Sequence, residues 1–582
     1  MICSDERKHS ALKFSFFKCV SALLTLAASA FLLSARAAVH SASDAQPLNL
    51  PAVAAVVDCA SLASADISQA VGAPTRIESA SVVNDATTAS YCKVNAVVDE
   101  IGKIEVHLPL ATWKQRLLYG GGMGADAPLN IANFVTISGQ DLGHRGDEDA
   151  FATDYQLRVS FAYRNVHLQV LATKALISKY YHQTPKFSYY NGCSEPGRKG
   201  LMEVQRYPED FDGTVSGCPP INDTINNGLF YAWNILANTS SDGKLIITAD
   251  KLPILHEAVL GECDAADGLK DGIVSDPLNC HPKLTEIECK PGQDAGKCLT
   301  SAQIHAALEL YRGAHDEKDG KLTPIGVLPG SELQWTKVIA PEPPQTGRPA
   351  FSMDRDGTVY ALRSEFTDPP LGTSWKLSDL KFDRASFDIF TKMHYLFDAT
   401  DPDLSAYAKA GHKLILWQGL EDSNVLPAHL ILYYTALQKQ MGAQAVDQFA
   451  RFYALPGVGH CGGGEGPSIK DFLTPLMLWV ERGIAPGALM ASHVSGGSSF
   501  GPQAQAGAAQ TTPDLARPVY PYPYKAKYKG TGDSKDADNF EQGPAINVPA
   551  DLFQWFGSGF YTPGYEKWCT GVGATFNCKS SL

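Results

Sequence analysis

The sequence predicts an α/β fold whose core is divided by a long insertion, and three observations carry that expectation. Between Ile104 and Val215, short apolar runs ending in glycine-bearing turns alternate with helical patterns. The same alternation resumes at Lys413. Between the two, after Pro220, lies an irregular stretch rich in Asn, Asp, Gly and Pro.

Residues 1–37 read as an export leader. Arg7, Lys8, Lys13 and Lys18 precede an apolar run from Val20 to Leu33, and Ala35-Arg36-Ala37 offers small residues for cleavage. A run of about 14 residues is short for a bilayer span, so removal near Ala37 is expected rather than membrane anchoring. A loose Ala/Ser-rich lead-in occupies residues 38–58.

Arg116–Tyr119 reads as a strand running into Gly120-Gly121-Gly122, and Asn133–Ile137 as a second. The apolar spacing of Val166, Val170, Leu171, Ala175 and Leu176 predicts a helix over 163–181. A short strand, Lys186–Tyr190, precedes a helix over Arg198–Arg206, and Phe211–Gly217 reads as the next buried strand. The first part of the core thus spans 38–222, and residues 223–402 form a lid with helical pieces near 251–260 and 300–313. The second part, 403–582, opens with the strand Lys413–Trp417. It continues through helices near 428–441 and 471–482 around the strand Phe449–Leu455, and ends in a Tyr/Pro/Gly-rich tail.

Without residues 1–37 the chain carries 44 basic against 60 acidic residues, a net charge of −16. That disfavours nucleic acid or an anionic membrane surface as partner. Eleven cysteines remain after the leader, and an exported chain can oxidise them, although spacing does not reveal the pairing. One must be left over within a monomer, and Cys218 is the best candidate.

Ser194 follows Cys193 in Gly192-Cys193-Ser194-Glu195-Pro196, between a short strand and a helix. Such a turn exposes a hydroxyl and directs helix N–H groups toward developing negative charge. Pro196 departs from the Gly-x-Ser-x-Gly pattern but is tolerable in a first helical turn. Asp422 lies just beyond the strand 413–417, and His460 precedes Cys461 in Gly459-His460-Cys461-Gly462. The order Ser, Asp, His, each after a strand, is that of α/β-hydrolases. A disulfide between the two flanking cysteines would tie the hydroxyl and the imidazole side by side. Glu421 is a rival acid whose simpler role is a solvated loop charge, and His144 and His412 are alternative histidines.

With these motifs on the page, the chain resembles the tannase and feruloyl esterase family of α/β-hydrolases, which includes mono(2-hydroxyethyl) terephthalate hydrolases. The resemblance is densest in Lys186–Pro219 (Gly192-Cys193-Ser194, Gly200-Leu201-Met202, Gln205-Arg206-Tyr207-Pro208, Phe211-Asp212-Gly213). It recurs in Lys413–Asp422, Pro456-Gly457 with His460-Cys461, and Trp479-Val480-Glu481-Arg482-Gly483. It implies a secreted or periplasmic serine esterase acting on a small aromatic ester. Ser194 would be nucleophile, Asp422 acid and His460 base, with oxyanion donors at Glu195 and Gly121-Gly122. It also implies four disulfides, pairing Cys193 with Cys461, Cys59 with Cys92, Cys263 with Cys280 and Cys289 with Cys298. Cys569 and Cys578 can close a local loop of their own. The family pattern has glycine at position 196 and tail cysteines where this chain has Tyr520 and Glu541.

Within the insertion, Cys263–Ile273 holds Asp264, Asp267 and Asp271 with turn glycines. The carboxylates, with the carbonyls of Leu269 and Ile273, suit Ca²⁺. Spacing alone leaves a solvated Asp-Gly loop equally open, and the resemblance implies a structural calcium site. The lid aromatics Phe366, Trp375, Phe387, Phe390 and Tyr395 are either aromatic-stacking residues or lid core. Arg363 lies roughly where the terephthalate monoester hydrolases hold a substrate carboxylate; its simpler role is a solvated charge. A serine peptidase using the same triad, and a binding protein with a relict triad, are the rival readings.

Overall fold

The computed structural model describes residues 45–84, 89–99, 101–121, 133–140, 154–316, 318, 320–337, 339–341, 355–493, 513–564, 569–572 and 575–578. The expected leader, Gly122 and His144 lie outside them. A nine-stranded sheet organises the chain. Its first three strands, β1 (Thr75–Val83), β2 (Tyr91–Val98) and β3 (Gly102–Pro109), form an antiparallel meander. Six further strands continue the sheet: β4 (Arg116–Gly121), β5 (Phe134–Gln140), β6 (Phe187–Cys193), β7 (Gly213–Gly217), β10 (Lys413–Gly419) and β11 (Ala450–Leu455). The order is β1-β2-β3-β5-β4-β6-β7-β10-β11, parallel from β5 onward. A two-residue ribbon inside the insertion supplies β8 (His315–Asp316) and β9 (Gly320–Lys321).

This is a mixed α/β architecture of the α/β-hydrolase kind, with inserted elements. The parallel strands are covered on both faces, which explains why every residue of β7 is buried. Helix α1 (Asn165–Tyr181) packs on the β1–β5 half. Helix α2 (Glu195–Arg206) follows β6 directly and begins three residues earlier than the sequence suggests. Two glycines let it lie close to the sheet. A Cβ on Gly197 would sit 2.3 Å from the Gly217 carbonyl oxygen, and one on Gly200 would sit 2.5 Å from the Tyr190 ring.

Strands β7 and β10 are neighbours, so everything between them leaves and re-enters the sheet at one place. The intervening chain has its own core, in which Leu252 and Leu255 of α3 (Leu252–Cys263) meet Ile304 and Leu310 of α4 (Ser301–Arg312) around Trp335. A Thr300–Gln303 capping box starts α4. After β10, α5 (Pro427–Met441) and α6 (Leu473–Arg482) flank β11. The tail then forms two ribbons, β12 (Leu489–His493) with β13 (Leu515–Val519) and β14 (Tyr524–Tyr528) with β15 (Phe540–Ala545). A last ribbon pairs β16 (Cys569–Val572) with β17 (Thr575–Cys578). Cys569 and Cys578 are register partners there, and their side chains lie outside the described residues. No helix among the described residues is long and apolar enough to cross a membrane.

Three of the expected disulfides staple the periphery of this fold. Cys59 and Cys92 are bonded, with Cα atoms 5.5 Å apart, which fastens the lead-in turn Cys59–Ser64 to β2. Cys263 and Cys280 are bonded at 5.7 Å and close the Asp-rich loop after α3. Cys289 and Cys298 are bonded at 5.0 Å and close a short loop just before α4. All three separations lie within the range that a disulfide spans.

Candidate active site

Three strand ends converge. Ser194 follows the last residue of β6 with φ +68°, ψ −132°, a left-handed φ that a side chain adopts only when its surroundings hold it. Its own N–H donates to Gly217 O at 2.9 Å, which ties the turn to the end of β7. Pro196 sits in the first turn of α2, where its missing N–H costs no helical bond, and its carbonyl accepts from the Tyr190 hydroxyl at 2.6 Å. Gly192 makes room for it, because a Cβ there would lie 2.8 Å from the Pro196 backbone.

His460 bridges the other two groups. Its Nε2 is 2.8 Å from Ser194 Oγ, and its Nδ1 is 2.8 Å from Asp422 Oδ2. Asp422 is fully buried yet well supplied with donors. Its Oδ1 accepts from the N–H groups of Asn424 and Val425 at 2.9 and 2.8 Å, and its Oδ2 also accepts from Gln418 Nε2 at 3.0 Å. These donors fix the carboxylate, which in turn fixes the imidazole with Nδ1 protonated and Nε2 free to accept the serine proton. Cys193 and Cys461 are joined as a disulfide, so the residue before the serine and the residue after the histidine are covalently linked. All four pairings that the resemblance implies are therefore present: Cys193–Cys461, Cys59–Cys92, Cys263–Cys280 and Cys289–Cys298. Cys218 is a free buried thiol.

Glu195 begins α2, and its carboxylate accepts from Arg198 Nε at 2.8 Å and from Arg198 Nη2. The buried Arg198 also donates to the carbonyls of Ala162 and Phe397 at 2.9 and 2.7 Å. Gly121 closes β4 opposite Gly192 of β6. Gln418 and Arg198 are contributors the sequence reading passed over. Gln418 was legible as the residue four before Asp422 on the same strand end, and Arg198 as the i+3 partner of Glu195.

Glu421 requires a correction. It is not a solvated loop charge but 3 % exposed. The turn after β10 folds beneath the histidine loop, with Glu421 N–H donating to Val458 O at 2.9 Å. Burial, and then the neighbouring Glu465 charge, push its carboxyl well above the usual range. It makes no contact that would orient His460. His412 is a half-buried neighbour of Asp212, at 3.9 Å.

Phe366, Phe387, Phe390 and Tyr395 are buried in hydrophobic clusters, with Trp375 partly buried against them, so these aromatics serve as packing. Arg363 lies in the turn Ala361–Glu365 and makes no ion pair with a described residue.

In the Asp-rich loop, Asp264 accepts from the N–H groups of Asp271 and Gly272, both at 3.1 Å. Gly268 and Gly272 take left-handed φ values of +92° and +80°. Burial foremost, with neighbouring carboxylates contributing, raises the carboxyls of Asp267 and Asp271. An all-oxygen donor set under such mutual repulsion fits a hard cation. The Arg517 guanidinium, bound to Asp271, is a competing counter-charge. Among the described residues, the clusters whose potential metal-ligating atoms lie within 4.8 Å of one another are elsewhere, for example His167, Glu203 and Asp210.

A Ser–His–Asp relay on the strand ends of such a sheet defines a serine hydrolase of the α/β class. Residues 92–542 match the family described as tannase and feruloyl esterase. The chain belongs to that family. A probable feruloyl esterase B-2 of Aspergillus terreus is 28% identical over 493 residues, covering 80% of this chain and 88% of the relative. A probable feruloyl esterase B-1 of Aspergillus flavus is 30% identical over 445 residues, covering 73% and 77%. In fold, the crystal structure of feruloyl esterase B from Aspergillus oryzae matches with a TM-score of 0.68 at 23% identity, covering 83% of this chain and 99% of that one. A tannin acyl hydrolase from Aspergillus niger gives 0.62 at 21% identity, covering 82% and 91%.

Proposed function

We propose that this chain is an exported serine carboxylic ester hydrolase that cleaves small esters of aromatic acids, of feruloyl or galloyl type, through an acyl-enzyme. The observation that carries the reading is His460 held at 2.8 Å from both Ser194 Oγ and Asp422 Oδ2. Ser194 attacks the ester carbonyl as His460 Nε2 takes its proton, and buried Asp422 stabilises the imidazolium. The oxyanion meets the Glu195 N–H at the start of α2 and a backbone donor of Gly121 or Gly122. His460 protonates the leaving alcohol, and water then repeats the attack. Residues 223–402 act as a lid over this pocket.

A structural Ca²⁺ in the insertion belongs to the same proposal. Asp264, Asp267 and Asp271, with the carbonyls of Leu269 and Ile273, would hold it, and its charge would offset the carboxylates and brace the loop already stapled by Cys263–Cys280.

A second reading, hydrolysis of aromatic monoesters such as mono(2-hydroxyethyl) terephthalate, is favoured by Arg363. It lies two residues before Glu365, whose carboxyl is raised to about 7 by burial and then by the charge of Glu195. The turn carrying Arg363 is therefore within electrostatic reach of the residue after the nucleophile.

The test is hydrolysis of p-nitrophenyl acyl esters, then of methyl ferulate, methyl gallate and mono(2-hydroxyethyl) terephthalate. Ser194→Ala should lose roughly 10³-fold or more in kcat, and equal rates would reject the nucleophile. Arg363→Ala should impair the terephthalate monoester at least tenfold more than the neutral esters. A uniform effect assigns Arg363 no carboxylate.

A further inference from the structure

The proposed mechanism uses a disulfide as a staple and leaves unused the thiol that lies against it. Cys218 follows the last residue of β7, fully buried, at a left-handed φ of +39°. Its N–H donates to Trp417 O of the neighbouring β10 at 2.8 Å, which fixes its backbone at the strand end. Cys193 closes β6 one strand away, in register with Gly217. Cys461 enters from the histidine loop, with its Sγ 3.8 Å from His460 Nε2. The sulfurs of Cys193, Cys218 and Cys461 all lie within 4.8 Å of one another. The Cys218 sulfur also lies within 4.8 Å of a carboxylate oxygen of Asp422 and a ring nitrogen of His460.

A free thiol at that distance from both halves of a disulfide has an intramolecular partner. We propose that Cys218 exchanges with the Cys193–Cys461 disulfide, moving the bond between two pairings and switching the catalytic site off. In thiolate form, Cys218 Sγ attacks Cys461 Sγ. The 218–461 bond forms, the 193–461 bond breaks, and the electron pair leaves on Cys193 Sγ, which takes up the proton that Cys218 gave up. Attack at Cys193 Sγ is the same reaction with Cys461 as leaving group. One thiol and one disulfide are present before and after, so neither oxidant nor reductant is consumed. Either product separates the residue before Ser194 from the residue after His460, and the serine–imidazole contact loses its covalent constraint.

The groups facing the thiol explain why the native pairing persists. Asp422 of the β10 loop and His460 of the β11 loop are the titratable groups within reach. Burial first, and then the Asp422 carboxylate, push the Cys218 thiol well above its ordinary range. The reactive thiolate is therefore scarce at neutral pH, and the carboxylate that orients the histidine also restrains the exchange. Because thiolate is the attacking species, the rate should rise about tenfold for each unit of pH below the thiol's own titration.

The experiment incubates the folded full-length chain at about pH 7 and about pH 10, on either side of the ordinary thiol range. Samples are quenched in acid, free thiols are alkylated under denaturing conditions, and disulfide-linked peptides are mapped without reduction. The expected result is a 218–461 or 193–218 linked peptide that accumulates in step with loss of esterase activity, with the liberated cysteine alkylated. Cys218→Ser and Cys218→Ala, each measured against its own starting rate, should retain the 193–461 linkage and inactivate at least tenfold more slowly. If wild type keeps 193–461 intact with only Cys218 alkylated, or if both variants inactivate at the wild-type rate, the proposal is overturned. The peptide map reads the exchange without reference to any substrate.

Discussion

Individual buried side chains set how the protein's stability responds to pH. His429 is fully buried in α5, near Trp555 at 5.6 Å between rings, and neither ring nitrogen has a hydrogen-bond partner. Burial pushes its pKa down to about 3. An unfolded chain's imidazole takes its proton near about 6.5, so between those values the unfolded state binds more protons and stability falls as pH falls. His429→Leu removes that penalty. Its Tm relative to the parent should improve as pH drops from about 6.5 to about 4, and a gap independent of pH would reject the assignment. At this scale much of the catalytic constellation was readable, because Ser194, Asp422 and His460 each sit where a strand gives way to a glycine-punctuated turn. The burial of Glu421 was not readable. Its fate depends on the Gly457–Gly466 segment folding over it: a Cβ on Gly464 would lie 3.0 Å from Glu421 Oε2, a contact between segments roughly forty residues apart.

Among the elements, the nucleophile turn depends on how closely α2 lies on β6 and β7. Gly197→Ala would press a methyl against the Gly217 carbonyl, which also accepts the Ser194 N–H. Overpacking of this kind costs about 1–3 kcal/mol. The variant should melt lower, and because the shift reaches the serine its kcat should fall more than its KM changes. Melting together with steady-state kinetics checks both, and an unchanged kcat would mean that the turn is held by other contacts. The sequence shows this helix but not its first turn, because Gly197 lies outside the expected span of 198–206 while the helix starts at Glu195. The three N-terminal strands were missed unequally. In β2 the alternation of half-buried and buried residues follows the polar and apolar residues closely. By contrast, most of β1 is exposed and Ser-rich, with no apolar period to read.

For the molecule as a whole, the largest decision is where the insertion joins. A sequence shows a break in pattern after Pro220 but not that β7 and β10 pair across it, because strand adjacency between distant segments leaves no local signal. The insertion meets the tail through the Asp-rich loop, where Arg517 of β13 holds Asp271. If Ca²⁺ binds there, chelation should lower the Tm of wild type, by the equivalent of about 2.7 kcal/mol where the ion was present at a hundredfold its Kd. Asp267→Asn should blunt the response. Calorimetry with and without chelator decides it, and an identical Tm in both conditions would leave Arg517 as the loop's counter-ion.

Arg198 joins the insertion to the core. One buried guanidinium pairs with Glu195 beside the nucleophile and, on another nitrogen, holds the Phe397 carbonyl of the inserted chain. Moving that chain away would break the Phe397 bond and separate Asp223 from the guanidinium, while the Glu195 pair remained. The inserted chain is thus moored beside the nucleophile turn by a charge-assisted hydrogen bond to a buried arginine.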